Sequence, residues 1–557
     1  MGGSVFRETS PQLSLFAPVV MFPGILPPDD WSYIYRDKIL HLIDEDAFKH
    51  LYSEHWGAPN KSIKLQVSLL IFMKAERLTW REAGYHLQRR LDWMNATQTP
   101  CDMNQIDHTT LHKFYDRIAE DEVVYDLFMK LTGQFILECK VSTKQQRTDS
   151  FFMDGWLAKL SRYGLLKETN RVFLQNLRKQ KPGLYEIICE DLSRDYLKDA
   201  FDLTEKDKAQ VSKKIKELAQ DMHHLKAAFE NHHQIKHYQT FQTLVQIFEQ
   251  QCDVKPHGND SQSEEKINIE LKKSPDGNGE KIISTPHNPE AQYTRKRNKA
   301  VTGHKAFVTE TCDPDNDVQF ITDVNLEAAG HSDAEEIGKI HDRLEKNDHK
   351  PEDHFNDAGF VNGESILKSA ARGINLEGPS SGRSQSIEQF SNEDRPLDVA
   401  DFQVEIDDET KELIVLSCPE GHEPLDQYKS EKTGQFLVHF DKEECQNCKL
   451  SNRCPVKIGK RISTLTIGEA QYAGAARHHK YMGDPEYRKK CGVRSGAESL
   501  VNELANKHGA RKSRHRTEKR SRLQLVFAAI ACNVKRYINN AVDSCAQNLP
   551  EMEENLI

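Results

Sequence analysis

The chain contains no apolar run near the roughly 20 residues that a bilayer-spanning helix needs; the longest compact one, Val67–Met73, reads as a helix face. No membrane segment is expected. The segment Leu13–Pro28 is apolar but broken by Pro18, Pro23, Pro27 and Pro28, and it has neither a basic leader nor a small-residue cleavage site, so it reads as an extended arm. Phe6 stands where an N-myristoylation signal needs Ser or Thr. Cysteine is sparse, 12 residues in 557, too few for a disulfide scaffold of this size and in keeping with a reducing, cytoplasmic setting. There is no glycine-rich phosphate loop for nucleotide hydrolysis, and no fixed-period repeat.

What is present is length and an uneven charge. With 557 residues the chain exceeds the usual domain of ~100–200 several times over, so two to four folded units are expected. Hydrophobic content of 37% and charged content of 29% fit a globular protein with much wet surface. The net charge of −10 hides a strong segregation. Ala505–Leu525 carries eight basic residues against Glu518 alone, whereas Leu376–Glu412 carries eleven acidic against three basic ones. A polyanion would be drawn to the first stretch and repelled by the second.

Helical periodicity runs from about Ser62 to Ile118. Thr79-Trp-Arg-Glu82 is a capping-box pattern, and Asp107 with Ile106 and Leu111 marks another helix start. Short helices with tight turns fit a helix-turn-helix reader of DNA or plain bundle packing. Arg147–Met153 reads as a strand. It precedes a helical stretch in which Val211, Ile215, Leu218, Met222, Leu225 and Phe229 alternate spacings of four and three, as in a helical hairpin packing along a seam. From His304 the pattern becomes α/β: strands Lys305–Glu310 and Val318–Val324 around the turn Asp313–Asn316, a helix Ser332–Leu344, a strand His354–Phe360 and a helix Gly363–Ala371. Lys255–Gly279 and Gly378–Pro396 read as linkers.

Cys418, Cys445-Gln-Asn-Cys448 and Cys454 supply four thiolates, enough for a closed, structural tetrahedral Zn²⁺ site, with His422 able to replace Cys418. Reduced cysteines in a small subdomain are the plainer alternative. Several acidic residues are open to equally plain readings. Asp149 beside Ser150 suits a turn or cap, Asp357 before Ala-Gly suits a strand end, and Arg494 with Glu498 suits a surface ion pair worth about 0.3–0.5 kcal/mol. Asp323 and Asp333, flanking the hairpin and helix, read as structural.

Five short motifs occur in order: Arg147-Thr-Asp149-Ser150; Ser284-Thr-Pro-His-Asn-Pro-Glu-Ala291; Gly303-His-Lys305 with Thr309-Glu-Thr-Cys-Asp313; Asp357-Ala-Gly-Phe360; and Arg494-Ser-Gly-Ala-Glu498. Together with Trp56–Ile118, which includes Leu91-Asp-Trp93 and Asp107-His-Thr-Thr-Leu111, they resemble bacterial insertion-sequence DDE transposases over nearly the whole chain. Relatives with a Tyr-x2-Arg-x3-Glu-x6-Lys signature have Tyr where this chain has Cys491 and Lys where it has Ala505; Tyr487 and Lys507 are the candidate substitutes.

The resemblance implies an α/β, mixed-sheet ribonuclease-H-like core. It also implies catalytic and metal-binding roles for Asp149, Asp357 and Glu498, holding two Mg²⁺ or Mn²⁺ ions. DNA contacts are expected from Arg494, Lys507, Arg511, Lys512, Arg514, Arg516, Lys519 and Arg520. The expected organisation is an arm (1–40), a helical DNA-binding domain (41–140), the first catalytic strand (141–159), a helical insertion (160–254), a linker (255–283), the core (284–377), an acidic linker (378–412), a Cys-rich insertion with zinc (413–470), the catalytic helix, basic segment and final helix (471–540), and a tail (541–557). Expected partners are double-stranded transposon-end and target DNA, with a homodimer on DNA and a nucleoid-associated, cytoplasmic location. A non-catalytic DNA-binding derivative and a stand-alone metal nuclease are the competing functions; three retained acids favour the enzyme.

Overall fold

The computed structural model describes residues 6–9, 13–53, 59–155, 161–198, 208–255, 268–276, 282–289, 292–296, 299–383, 386–406 and 412–554. Trp56, Glu290, Ala291 and much of the linker expected over 255–283 lie outside the described residues, as does the side chain of Val211. Among the described residues no helix is long and apolar enough to cross a membrane.

Helices α1 (Ile63–Ala75), α2 (Trp80–Leu87), α3 (Leu91–Ala96), α4 (His108–Ile118) and α5 (Val123–Glu138) form the N-terminal helical region. Their starts follow from side-chain chemistry: Ser62 caps α1, Thr79 and Glu82 close a reciprocal capping box on α2, and Asp107 caps α4. The expected arm is shorter than forty residues. Helical turns from Trp31 bury Tyr35, Ile39 and Leu40 in the same core, because their spacing aims one stripe at α1.

β1 (Gln145–Asp154) follows, and then the helical insertion, α6 (Arg162–Gln180), α7 (Pro182–Glu190), α8 (Lys208–Phe229) and α9 (Gln239–Gln251). The insertion is more than a hairpin. Leu218, Met222, Leu225 and Phe229 of α8 join Leu166, Phe173, Phe241, Leu244 and Phe248 in a core of its own.

The remaining sheet strands are β2 (Lys299–Thr311), β3 (Ile321–Ala328), β4 (Asp353–Asn356) and β5 (Asn375–Glu377), with Gln292–Lys296 at the edge of β2. Their order is β3-β2-β1-β4-β5, antiparallel from β3 through β1 and parallel from β1 through β5. This mixed α/β sheet with helices on both faces is the expected ribonuclease-H-like arrangement. β3 starts later than the sequence pattern suggests. Asn316 and Gln319 hold residues 312–319 as a wide loop through bonds to Ser142, Asp313 and Thr311. β4 likewise stops at Asn356, where the chain turns with the Phe360 N–H on the Asp357 carbonyl, 3.0 Å.

One sheet face packs on α10 (Asp333–Lys346) through Phe307, Ile337, Ile340, Leu344 and Phe360, with α11 (Gly363–Ala370) beside it. The other face, through Phe151, Met153, Ala306 and Val308, merges with the helical region into one continuous core. The acidic stretch expected as a linker is folded in part. Ser386 caps a short helix, Val399 and Phe402 are buried, and Gln403–Ile406 pairs with Leu413–Ser417, since Arg383 and Arg395 neutralise Asp398 and Asp401 locally. Beyond a four-stranded sheet within residues 426–467 lie α12 (Glu469–Gly483), α13 (Pro485–Cys491), α14 (Ala497–Asn502) and the long final helix α15 (Glu518–Glu554).

Candidate active site

In the parallel ladder of β1 and β4, Thr148 stands opposite Asn356. The next residues, Asp149 within β1 and Asp357 just past the end of β4, therefore follow that last pair of the ladder, in which strands are spaced about 4.8 Å. Side chains alternate along a strand, so Asp149 shares its face with Arg147, Phe151 and Met153, the face covered by α14 and α15. α14 packs on β1 with Ala497 and Leu500 buried and carries Glu498 exposed in its first turn. Asp149, the turn that begins at Asp357 and the helix that carries Glu498 thus belong to adjoining elements of the sheet region. All three acids keep solvent access; the Asp357 side chain is 53% exposed.

The approach of α14 is held at two points. The 3-10 turn Gly492–Gly496 leads into it. Arg147 Nη1 donates to the Val493 carbonyl at 2.9 Å, and Arg494 Nη1 bonds the Asp357 carboxylate. Arg494 therefore pairs across the site with Asp357, not along its own helix with Glu498 as the spacing suggested. Partial burial works against the charge of Arg494, but Asp357 and Tyr481 more than offset this and raise its pKa above the ordinary value. Arg147 also donates through Nε and Nη2 to Glu310 Oε1, 2.9 and 2.7 Å. Glu310, 2% exposed, accepts Arg536 of α15 on its other oxygen at 2.9 Å, and Arg536 reaches Glu503 at 2.8 Å. Arg147 marked a motif in the sequence, but only its two-residue offset from Asp149 hinted that it shares a face with the site; Glu310 and Arg536 gave no such signal.

Beneath the acids, on the opposite face, the sheet is braced by buried polar contacts. Thr148 Oγ1 lies 2.6 Å from Thr309 Oγ1 and 2.7 Å from His354 Nε2, whose Nδ1 lies 2.9 Å from His341 Nε2. Burial, and then its partner, holds His354 well below the ordinary imidazole value; burial pushes His341 down to about 4. Both rings are thus neutral braces. Asp323 and Asp333 serve structure: Asp323 accepts Arg343 on both oxygens at 2.8 Å, and Asp333 pairs with Lys305 at 2.7 Å. Tyr487 is buried with its hydroxyl on Glu377, so it does not face outward as a substitute DNA contact; Lys507 is exposed.

The basic segment is an extended arm beside the end of β1. The Asp154 N–H bonds the Arg511 carbonyl at 2.9 Å, and the Ser513 N–H bonds the Asp154 carbonyl at 2.8 Å. Exposure alternates along it: Lys512, Arg514 and Arg516 face solvent while Ser513 and His515 are buried. Burial and the surrounding cations, Lys74 first, push His515 down to about 3, and its ring stacks on Tyr115 at 4.6 Å. Arg511 is also exposed. Lys519 and Arg520, also expected to meet DNA, pair in this structure with Glu120 at 2.6 Å and Asp116 at 3.1 Å, linking α15 to the helical region.

Cys418, Cys445, Cys448 and Cys454 line one small pocket with His422. The backbone N–H groups of His422 and Leu450 donate to the sulfurs of Cys418 and Cys448, each at 3.3 Å. Burial, and then the neighbouring thiols, push Cys445 and Cys454 up. His422 is engaged with Glu444 at 3.2 Å, which leaves Cys418 as the fourth donor. Four sulfur donors are the right type and number for zinc, but a tetrahedral site with Zn–S near 2.3 Å sets its sulfurs about 3.8 Å apart, so these must draw closer to hold the ion.

Three donor groups whose atoms lie within 4.8 Å of one another occur among the described residues: Glu503–His508–Cys532, Glu327–His331–Glu336 and Asp398–Asp401–His479. Each already contains or touches an arginine or lysine, as Arg536, Arg343 and Arg383 show. Neither the three site carboxylates nor the four thiols meet that spacing. Two cations about 3.5–4 Å apart, each with oxygen ligands near 2.1 Å, do not require it, since outer ligands of such a pair stand farther apart. The acids offer accessible oxygen donors, and Asp357 already attracts a guanidinium, so the residues present fit hard divalent cations.

The family model described as Transposase DDE domain matches residues 417–538, a span holding the four cysteines, Arg494, Glu498 and the basic arm. The model described as Transposase domain (DUF772) matches residues 25–117, the helical region through most of α4. No curated protein and no solved structure matches the chain.

Proposed function

We propose that this chain is an insertion-sequence DDE transposase, a reading supported by its two transposase-domain matches, that cuts DNA at the ends of its element to free 3′-hydroxyls and joins these to target DNA, with Asp149, Asp357 and Glu498 as its catalytic carboxylates. The observation that carries the reading is the ladder register whose last pair immediately precedes Asp149 and Asp357, with the helix of Glu498 packed on β1. The carboxylates would hold two Mg²⁺ or Mn²⁺ ions. Bound there, such ions activate an attacking oxygen and stabilise a leaving one.

The chain's own residues do the rest. Arg494, next to the acids, can exchange its hold on Asp357 for a phosphate of the bound end. Lys512, Arg514 and Arg516, beside the end of β1, are placed to neutralise backbone phosphates leading to the acids, with Lys507 and Arg511 at the arm's start. Cys418, Cys445, Cys448 and Cys454 would hold a structural zinc that fixes the small sheet ahead of α12. Two copies on paired ends would bring both 3′-hydroxyls to one target.

Incubating the protein with Mg²⁺, a donor-end duplex and a target plasmid tests this. Joined product supports the transposase, cleavage without joining points to a nuclease, and binding alone points to a non-catalytic derivative. Asp357→Asn is expected to abolish joining; retention of joining would refute the site.

A further inference from the structure

Arg147 does more than balance a buried charge. A guanidinium presents donors in a fixed planar fork. Here one edge of the fork rests on Glu310 through Nε and Nη2, and the remaining nitrogen reaches past it to the Val493 carbonyl. Charge balance alone needs only the first contact. The second ties β1, two residues from Asp149, to the turn that carries Arg494 and leads into the helix of Glu498.

Gly496 makes this approach possible. A Cβ at that position would collide with the Arg147 guanidinium, so the residue's lack of a side chain is what lets the turn close over the arginine. On the far side, Arg536 of α15 occupies the second oxygen of Glu310 and also Glu503, just past α14. Strand, turn and both helices are thus referred to a single carboxylate that is 2% exposed.

We infer that Arg147 is a positioning residue for the metal site, setting the distance between the carboxylates of Asp149 and Glu498 through its bond to Val493 and the space left by Gly496. The inference rests on the two-cation reading of the site. Residues that orient metal ligands from behind typically change metal affinity by about 10–100-fold when replaced.

The test uses full-length protein and three variants, Arg147→Gln, Arg147→Lys and Gly496→Ala. Mn²⁺ titration followed by electron paramagnetic resonance reads metal uptake without turnover, donor-end cleavage gives the Mg²⁺ concentration for half-maximal rate, and duplex affinity is measured alongside. Arg147→Gln and Gly496→Ala are expected to weaken Mn²⁺ uptake and raise the Mg²⁺ midpoint by about tenfold or more, with duplex affinity within about twofold of the parent. Arg147→Lys should recover part of the loss, because an ammonium can reach Glu310 or Val493 but not bridge both. A merely structural residue would lower the melting temperature and leave the metal midpoints of the folded protein where they were; that result overturns the inference. If Arg147→Gln does not fold, Gly496→Ala and Arg147→Lys decide the matter by the same readouts. Parent protein that binds Mn²⁺ without cleaving DNA would refute the proposed function while the Mn²⁺ titration still decides on Arg147; parent protein that takes up no Mn²⁺ would overturn both.

Discussion

Replacing Asp323 by Asn and, separately, Asp357 by Asn should have opposite consequences. Asp323 is 1% exposed and accepts both nitrogens of an Arg343 fork at 2.8 Å, together with the Tyr125 hydroxyl at 2.8 Å. Removing one partner of a buried pair costs about 3–5 kcal/mol. Arg343 keeps Glu336 at 3.0 Å, which places the expected loss at the low end, about 3 kcal/mol. In a domain of about 150–250 residues that is roughly 6–12 °C in melting temperature. Asp357 is half exposed and its pair with Arg494 is screened by solvent, so Asp357→Asn should move stability by no more than about 1 kcal/mol. Its effect on joining should be large, on the order of 10³-fold, since a lost metal ligand removes several kcal/mol of transition-state stabilisation. Thermal unfolding and a gel-based joining assay at equal protein concentration read the two effects. An Asp323→Asn protein of parental stability that has lost joining, or an Asp357→Asn protein that still joins, would refute the assignment of roles.

Acid should destabilise the fold through its neutral histidines. His341 at about 4 and His515 at about 3 lie below the unfolded value of about 6.5, so their contribution is complete above 6.5 and falls as the unfolded chain takes up protons at lower pH. Urea unfolding should show a loss of about 2 kcal/mol per histidine between pH 7 and pH 5, and unchanged stability would contradict their burial as neutral rings. Zinc analysis of purified protein should give one ion per chain; Cys448→Ser should release it and lower the melting temperature, whereas parental zinc content would refute the four-thiolate site. Changing Lys512, Arg514 and Arg516 together to Ala should reduce the slope of log affinity against log salt by about 2.7 for a duplex, measured by fluorescence anisotropy. An unchanged slope would remove the arm from the DNA path.

Local chemistry was the most legible part of the chain. Thr79 with Glu82, and Asp107 ahead of Leu111, announce their helices because a cap needs only neighbours in sequence. The strand–hairpin–helix–strand order around Asp149 and Asp357 was readable from alternation and turns, and it led to the observed sheet. Distant partners were not readable. Nothing local says that Arg494 will pair with Asp357, 137 residues away, or that Arg147 will meet Val493, 346 residues away. The basic run illustrates the same limit. Its sequence shows eight cations, but the fold divides them into five exposed ones, Lys507, Arg511, Lys512, Arg514 and Arg516, and three, Lys519, Arg520 and Arg522, paired with Glu120, Asp116 and Glu122. The acidic stretch misled in the other direction, because Arg383 and Arg395 neutralise enough of it to let it fold.

The central claim is best tested by anomalous diffraction from crystals of the protein bound to donor-end DNA and soaked in Mn²⁺. Two peaks about 3.5–4 Å apart, within ligand distance of Asp149, Asp357 and Glu498, are predicted. Manganese bound only elsewhere, for instance at Glu327–His331–Glu336, with the three carboxylates bare, would contradict it.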